Sequence, residues 1–303
     1  MIRPFRMIDA PCLLLQGCPS SRDLVHARPS LGHGSRKLTR TTAACVGISA
    51  GIRRKVLGSF EDGSLEALVI VQVRRAASAW EVCGFFSSAQ AYNQVDELLL
   101  AAAAAAGEAG AERLFLRCAT EGPASAPAQR AGFHRAFSEE LFTGTLRTTR
   151  DTPMHFRSIR NRDMHDVFRL HMATAPFAAR PALGLTINEW MAAREPSPGR
   201  TREYVCDTEH GVSAWARVDL VSDSVIVEAA LHPDFPTLAP MLVEGVARVA
   251  GHASPVRWIV PTYQPYIAQA LTNLGWRSES MYEVSVKPIA QRVRQPYMTP
   301  VQA

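Results

Sequence analysis

The chain repeats itself at long period. Arg3, Arg6 and Asp9 in Ile-Arg-Pro-Phe-Arg-Met-Ile-Asp return as Arg157, Arg160 and Asp163 in Phe-Arg-Ser-Ile-Arg-Asn-Arg-Asp. Further on, Arg113-Leu-Phe-Leu-Arg-Cys118, a short helical stretch and Arg130-Ala-Gly-Phe133 line up with Val256-Arg-Trp-Ile-Val260, a helix and Asn273-Leu-Gly-Trp276. The same spacing separates Phe115 from Trp258 and Gly132 from Gly275, which predicts one register for strand, helix and turn in both copies. A period this long belongs to a duplicated domain, because solenoid units are far shorter. The 303 residues then divide into two domains, 1–150 and 151–303, each large enough for its own core. The linker falls in the polar stretch Thr148 to Pro153.

Composition narrows the function classes. Apolar residues make up 47% of the chain and charged ones 20%, the balance of a soluble globular protein. Leu98 to Ala106, the longest greasy run, is mostly alanine between Asp96, Glu97 and Glu108 and is too short to span a bilayer. The six cysteines have no metal-site spacing, and Cys83 and Cys118 fall in apolar strand patterns, as buried thiols do in a reducing compartment. Cytoplasm is the expected location, since no signal-peptide core is present. The formal charge of +5 is carried mainly by arginine. A basic stretch from Arg22 to Lys55, including Arg36, Lys37, Arg40, Arg53 and Arg54, reads as a solvated loop; it lacks the interleaved aromatics of a nucleic-acid surface.

Periodicity supplies the elements. Strands are expected at Leu65 to Val73 and Trp80 to Phe86, paired as a hairpin, then at Leu114 to Cys118 and Phe137 to Leu146. Val95 to Glu108 is a helix by propensity, punctuated by Gly107 and Gly110, and a shorter helix ends at Gly132. The second half starts at His155. It reads as a helix from Asp163 to Ala175, capped by Asn161 or Asp163, and another from Thr186. Strands follow at Glu203 to Cys206, Val212 to Val221 and Ser224 to Leu231, with a tight turn at Ser222 and Asp223. The helix Leu238 to Ala250, the strand Val256 to Val260, the helix Tyr266 to Leu274 and the strand Ser280 to Val286 close the chain. This is an α/β class with a mixed, mostly antiparallel sheet flanked by helices.

With His232-Pro-Asp-Phe235 leading from a strand into a helix, and Asn273-Leu-Gly-Trp276 ending the next, the chain resembles the GCN5-related N-acetyltransferases (GNAT) in two tandem, divergent copies. The resemblance implies a cleft where two central strands splay apart and take an acetyl-CoA or another acyl-CoA. It assigns cofactor contacts to Leu231, His232, Leu238, Ala239, Met241 and Leu242. The family's pyrophosphate loop has the pattern R/Q-x-x-G-x-G/A. Here Pro236-Thr-Leu-Ala-Pro-Met241 stands in its place in the second half, with Pro240 lacking an amide hydrogen, and Gln90-Ala-Tyr-Asn-Gln-Val95 in the first. The family's acid, a tyrosine near the end of the last helix, is replaced by Ala128 and Leu271.

Other residues are candidates for the chemistry. Glu228 lies in an apolar strand, where it is either an inward base or an outward residue of a half-exposed face. Tyr263 and Tyr266 flank the end of Val256 to Val260, as proton donor or pocket lining or as packing under the last helix. His232 is a base or a turn residue, and Glu81 shares a face with Cys83. Two functions stand as expectations. One is an acyl-CoA-dependent N-acyltransferase acting on a small-molecule amine, with the second half active and its pocket built by Asp163 to Arg194. The other is a catalytically degenerate fold kept for binding a small molecule or a subunit. The repeat also predicts an internal pseudo-dimer, as a monomer or a homodimer.

Overall fold

The computed structural model describes residues 1–9, 22–32, 51–62, 64–87, 90–145, 156–197, 199–209, 211–221, 224–250 and 255–289. The linker Thr148 to Pro153, the turn Ser222–Asp223, and Cys12, Cys18 and Cys45 lie outside the described residues. In chain order the first half forms β1 (Ile2–Pro4), β2 (Arg22–Asp23), β3 (Arg54–Glu61), β4 (Ser64–Val73), β5 (Ala79–Ser87), α1 (Val95–Glu108), β6 (Arg113–Ala119), α2 (Ser125–Arg130) and β7 (His134–Gly144). The second half begins with β8 (Arg157–Ser158), α3 (Met164–Thr174), α4 (Arg180–Leu183) and α5 (Ile187–Ala193). It continues with β9 (Arg200–Thr208), β10 (Gly211–Leu220), β11 (Val225–Leu231), α6 (Ala239–Ala250), β12 (Val256–Pro261), α7 (Pro265–Asn273) and β13 (Arg277–Pro288).

Local chemistry accounts for these bounds. Alanine and leucine hold α1 together, and Gly110 ends its turn with a positive φ of 92° that costs glycine little. Pro265 opens α7, where its missing N–H would have no partner anyway. Thr186 caps α5 by accepting the Glu189 amide at 3.3 Å. Asp163 does something other than capping α3. Its carboxylate accepts from the Arg160 amide at 2.7 Å and from Arg157 Nη1 and Nη2 at 2.5 and 3.0 Å. Asp9 repeats this arrangement, accepting from the Arg6 amide and from both Arg3 nitrogens, each at 2.7 Å. The opening sequence motif is thus one local structure built twice, an arginine clamped on an aspartate at the entry to a 3-10 turn.

All strands join one sheet, ordered β1-β3-β4-β5-β6-β13-β7-β12-β11-β10-β9-β8, with β2 on the edge of β5. Two pairs are parallel, β5 with β6 and β11 with β12; the rest are antiparallel. The closing strands cross over between the halves. β13 inserts beside β6, and β7 lies between β13 and β12. The two halves therefore share their central strands, and no sheet edge is left between them.

Two cores lie under the long helices. Leu98, Leu99 and Ala102 of α1 pack on Val69, Val71, Leu114 and Leu116, with Phe133 at the end of α2. Leu242, Val243 and Val246 of α6 and Ile267 and Leu271 of α7 pack on Val227, Trp258 and Val260. On the opposite face, α3 and α5 close over β10 and β11 through Val167, Leu170, Trp190, Trp215 and Ala230. Among the described residues no helix is long and apolar enough to cross a membrane.

Candidate functional site in the second half

Each parallel pair holds together over a few residues and then parts. β5 and β6 pair from Ala79–Arg113 to Glu81–Phe115, and β11 and β12 from Val225–Val256 to Glu228–Ile259. A glutamate occupies the last rung both times. These rungs correct the register expected from sequence spacing. Phe115 lines a cleft, whereas Trp258 lies in the core beneath α6 and α7. Side chains alternate along a strand, so an offset of one residue reverses the face, and Phe115 corresponds to Ile259 instead. The helix-end glycines keep their correspondence, with φ of 82° at Gly132 and 81° at Gly275.

The two partings differ in what fills them. Beyond Glu81 the edge of β5 is taken by β2, with Arg22 against Ser87 and Asp23 against Phe86. The Leu24 amide donates to Phe85 O at 2.7 Å, and the His26 amide donates across to Arg117 O of β6 at 2.8 Å. The first parting is stuffed with the chain's own backbone. In the second, the side chain of Gln264 reaches across, its Oε1 accepting from the Leu231 amide at 3.4 Å. Ala229, Ala230, Pro261, Tyr263 and Gln264 line an open cleft there.

The cleft walls are aromatic and its floor is charged. His171 of α3, Trp190 of α5 and Trp215 of β10 stack along one side, with His171 centroids 5.2 and 4.9 Å from the two indoles. Burial pushes the His171 imidazole down to about 4, so it is neutral at pH 7. Phe137 and Tyr263 meet edge to face at 5.7 Å on another side. Burial, then Glu139 and Glu228, push the Tyr263 phenol up, so it keeps its proton. The helices α3 to α5 bring His171, Thr174, Ala182, Leu183, Trp190 and Ala193 to the cleft, with Arg194 just after α5.

Glu228 opens onto this cleft with 30% of its side chain exposed. Arg28 Nη1 donates to its Oε2 at 2.7 Å, and Arg28 Nε donates to Asp219 Oδ2 at 2.7 Å. Arg217 Nε donates to the other Asp219 oxygen at 3.1 Å and its Nη1 to the Glu195 carbonyl at 3.0 Å. Burial pushes the Glu228 carboxyl up, but Arg28 and then Arg217 outweigh it and hold the group ionised below the usual carboxylate range. A second cluster adjoins it. Arg117 Nε donates to Glu139 at 2.8 Å, and its two terminal nitrogens donate to Glu195. Arg74 Nη2 stands 3.6 Å from Glu195, with its Nε donating to Glu81 at 3.1 Å. Burial raises Glu81 and Glu139, with Arg74 and Arg117 respectively opposing it.

The residues assigned to the cofactor take other places. Leu242 and Ala239 are buried in the core under the sheet, and Leu238 and Met241 are half-buried against it. Leu231 ends β11 at 2% exposure, and His232 Nδ1 accepts from the Asp234 amide at 3.3 Å. A pyrophosphate needs free, convergent amides. From the end of β11 into the first turn of α6, Pro233, Pro236 and Pro240 have none, and the amides of Asp234, Phe235, Leu238 and Ala239 bond locally. The turn leading into α6 does not fit a pyrophosphate. Tyr266 is 45% exposed beyond the cleft, and Ala128 and Leu271 are buried in the cores.

Sequence reasoning missed Arg28, Arg74, Arg117, Arg217, Glu139 and Glu195. For Arg217 and Asp219 a signal existed, since both interrupt an apolar strand pattern as Glu228 does. Arg28 carries no such mark. The basic stretch it belongs to is also corrected: Arg22–Asp23 is a strand and Arg28 is 3% exposed, so that part is no solvated loop.

No protein-family model and no curated protein matches the sequence. Solved structures do match. A GCN5-related N-acetyltransferase from Sphaerobacter thermophilus is 13% identical, with 97% of this chain and 96% of that one covered at a TM-score of 0.55. A conserved protein of unknown function from Staphylococcus epidermidis is 11% identical over 80% of this chain and 94% of its own, at 0.52. A tandem GNAT protein of the clavulanic acid biosynthesis pathway is 12% identical over 96% and 99%, at 0.50. With the parted strands, the helices on both faces and these likenesses together, the chain has the fold of the GCN5-related N-acetyltransferases.

Proposed function

We propose that the protein is an N-acyltransferase whose working site is the cleft of the second half, and that its acceptor is a small-molecule amine. One observation carries this reading: the parting of β11 and β12 stays open onto the cleft, with Glu228 on its last rung and Tyr263 on its far side. An acyl-CoA, when bound, supplies the thioester. Glu228, ionised and partly exposed, takes the proton of the acceptor amine as its nitrogen attacks. Tyr263, held neutral, is the proton source for the departing sulfur. Trp190, Trp215 and Phe137 keep water from the reacting groups. The buried thiols Cys83, Cys118 and Cys206, all unpaired, suit a reducing compartment such as the cytoplasm.

The reading includes a duplicated chain folded as an internal pseudo-dimer. The twin Arg–Asp clamps, the twin glutamate rungs and the exchange of β7 and β13 support it. The second reading, a fold kept for binding, is favoured by the internally bonded amides before α6. Titration calorimetry with acetyl-CoA and with acetyl-pantetheine, which lacks the nucleotide, separates the two. The enzyme reading expects saturable one-site binding of similar strength for both, and amine acylation that Glu228→Gln abolishes without weakening binding. Absence of heat with either compound at millimolar concentration would sink it.

A further inference from the structure

The segment Arg22–Gly32 joins the two sites. Its first residues lie in the first parting, bonded to β5 on one side and β6 on the other. Asp23, 5% exposed, turns the segment by accepting from the amides of Val25 at 3.3 Å and Phe85 at 3.0 Å. Val25 then enters the core beneath α1 at 1% exposure. The chain next crosses the open face of the shared strands. Ser30 closes a 3-10 turn on Ala27 O at 2.8 Å, Pro29 fixes its backbone, and Leu31 packs among Leu141, Ile226, Ile259 and Tyr282. Between these two anchors stands Arg28, whose partners Asp219 and Glu228 lie about two hundred positions away, on β10 and β11.

We propose that this segment replaces a ligand in the first half's parting and uses that anchorage to hold Arg28 in the second half's site as the positioning residue for Glu228. The proposal rests on the acyltransferase reading for the role of Glu228, and it adds why only one of two like partings works. The first is occupied by backbone that bonds both of its edges, so a thioester arm has no edge there to lie against. A segment anchored at Asp23 and Leu31 leaves Arg28 little freedom, and a preorganised guanidinium loses less entropy than a mobile one. The groups around Glu228 are Arg28 from the segment, Arg217 and Asp219 from β10, His171 from α3, Glu195 after α5, Glu139 of β7 and Tyr263 after β12. Of the cations, Arg28 makes the direct bond.

The test follows the Glu228 carboxyl by carbon-13 NMR of glutamate-labelled protein, with Glu228→Gln assigning the signal. In the unmodified chain it is expected to titrate below the ordinary glutamate value of 4.5, held down by Arg28 and Arg217. Arg28→Met is expected to move the midpoint upward, and Arg28→Lys to restore most of the shift through its charge. Asp23→Ala, which removes the oxygen that both amides bond without touching Arg28, is expected to move it in the same direction; it serves as well if Arg28→Met fails to fold. Slow hydrogen exchange at the Leu24 and His26 amides, matching that of Phe85, is expected in the unmodified chain. A midpoint unmoved in the folded variants, or exchange of Leu24 and His26 within seconds, would overturn the proposal. Loss of acyl-CoA binding would instead strike the functional reading, leaving these readouts unaffected.

Discussion

Replacing Glu195 by Gln tests the buried charge cluster quantitatively. Its carboxylate, 12% exposed, accepts from both terminal nitrogens of Arg117, which is 6% exposed, and faces Arg74 at 8%. Burial pushes the Glu195 carboxyl up, but Arg117, Arg74 and Arg28 outweigh it and hold it well below the ordinary 4.5. Removing one member of a buried pair costs about 3–5 kcal/mol, because the remaining charge stays desolvated. Gln keeps an oxygen to accept from Arg117, which sets the expectation at the low end, about 3 kcal/mol. The sign with pH is fixed by the depressed carboxyl. Its contribution is complete above 4.5 and is lost as pH falls toward the folded-state value. Glu81 and Glu139, raised by burial and in part by the Glu195 charge itself, are relieved when that charge is removed, which offsets part of the loss and keeps the expectation at the low end. Urea unfolding of the two proteins at neutral and acid pH is the assay. A gap near about 3 kcal/mol at pH 7 that shrinks below pH 4.5 is expected. A gap under about 1 kcal/mol, the worth of a surface pair, or one constant with pH, would refute the reasoning.

Two further outcomes follow from burial. His171, pushed down to about 4 from an ordinary 6.5, cannot take up a proton that the unfolded chain accepts, so stability falls as pH drops from 6.5 to 4. Nitrogen-15 NMR is expected to find the ring neutral through that window, and His171→Phe to flatten the decline in urea titrations. Leu242→Ala, at 0% exposure beneath the sheet, is expected to cost about 2–5 kcal/mol by the same assay, as a cavity-forming change does.

The parts of this fold that were legible in the sequence are local. The helix Val95–Glu108 follows from propensity, and the antiparallel pairing of β4 with β5 follows from two β-branched runs and a short connection. The Arg–Asp clamps were legible as a repeated motif, although the ion pair that each aspartate adds to its bond with the turn's backbone needed the structure. Exchange of β7 and β13 leaves no local trace, because a strand that pairs with its own half and one that pairs with the other carry the same alternation. The strand Arg54–Glu61 was hidden for another reason: its basic opening residues belong to a charged stretch that reads as loop.

The site divides the same way. Glu228 and Tyr263 were legible as candidates because each is out of place, a carboxylate in an apolar strand and a tyrosine at a strand end. They do line one cleft. Arg28 was invisible, since nothing in a basic segment marks an arginine as buried against a partner 200 residues away. Leu242, which the resemblance assigns to cofactor contact, has its side chain in the core. A motif assigns a position along the chain, and the side-chain direction at that position is set by helix phase, which turns Leu242 into the core.

Hydrogen exchange with and without saturating acetyl-pantetheine tests the central claim, that the open parting of the second half is the acyl-binding site and the first is closed. The account predicts slowed exchange at Ala229–Leu231 and Tyr263–Gln264, with Val82–Ser87 and Leu24–His26 unchanged. Protection at β5 and β6, or none at either parting, would contradict it.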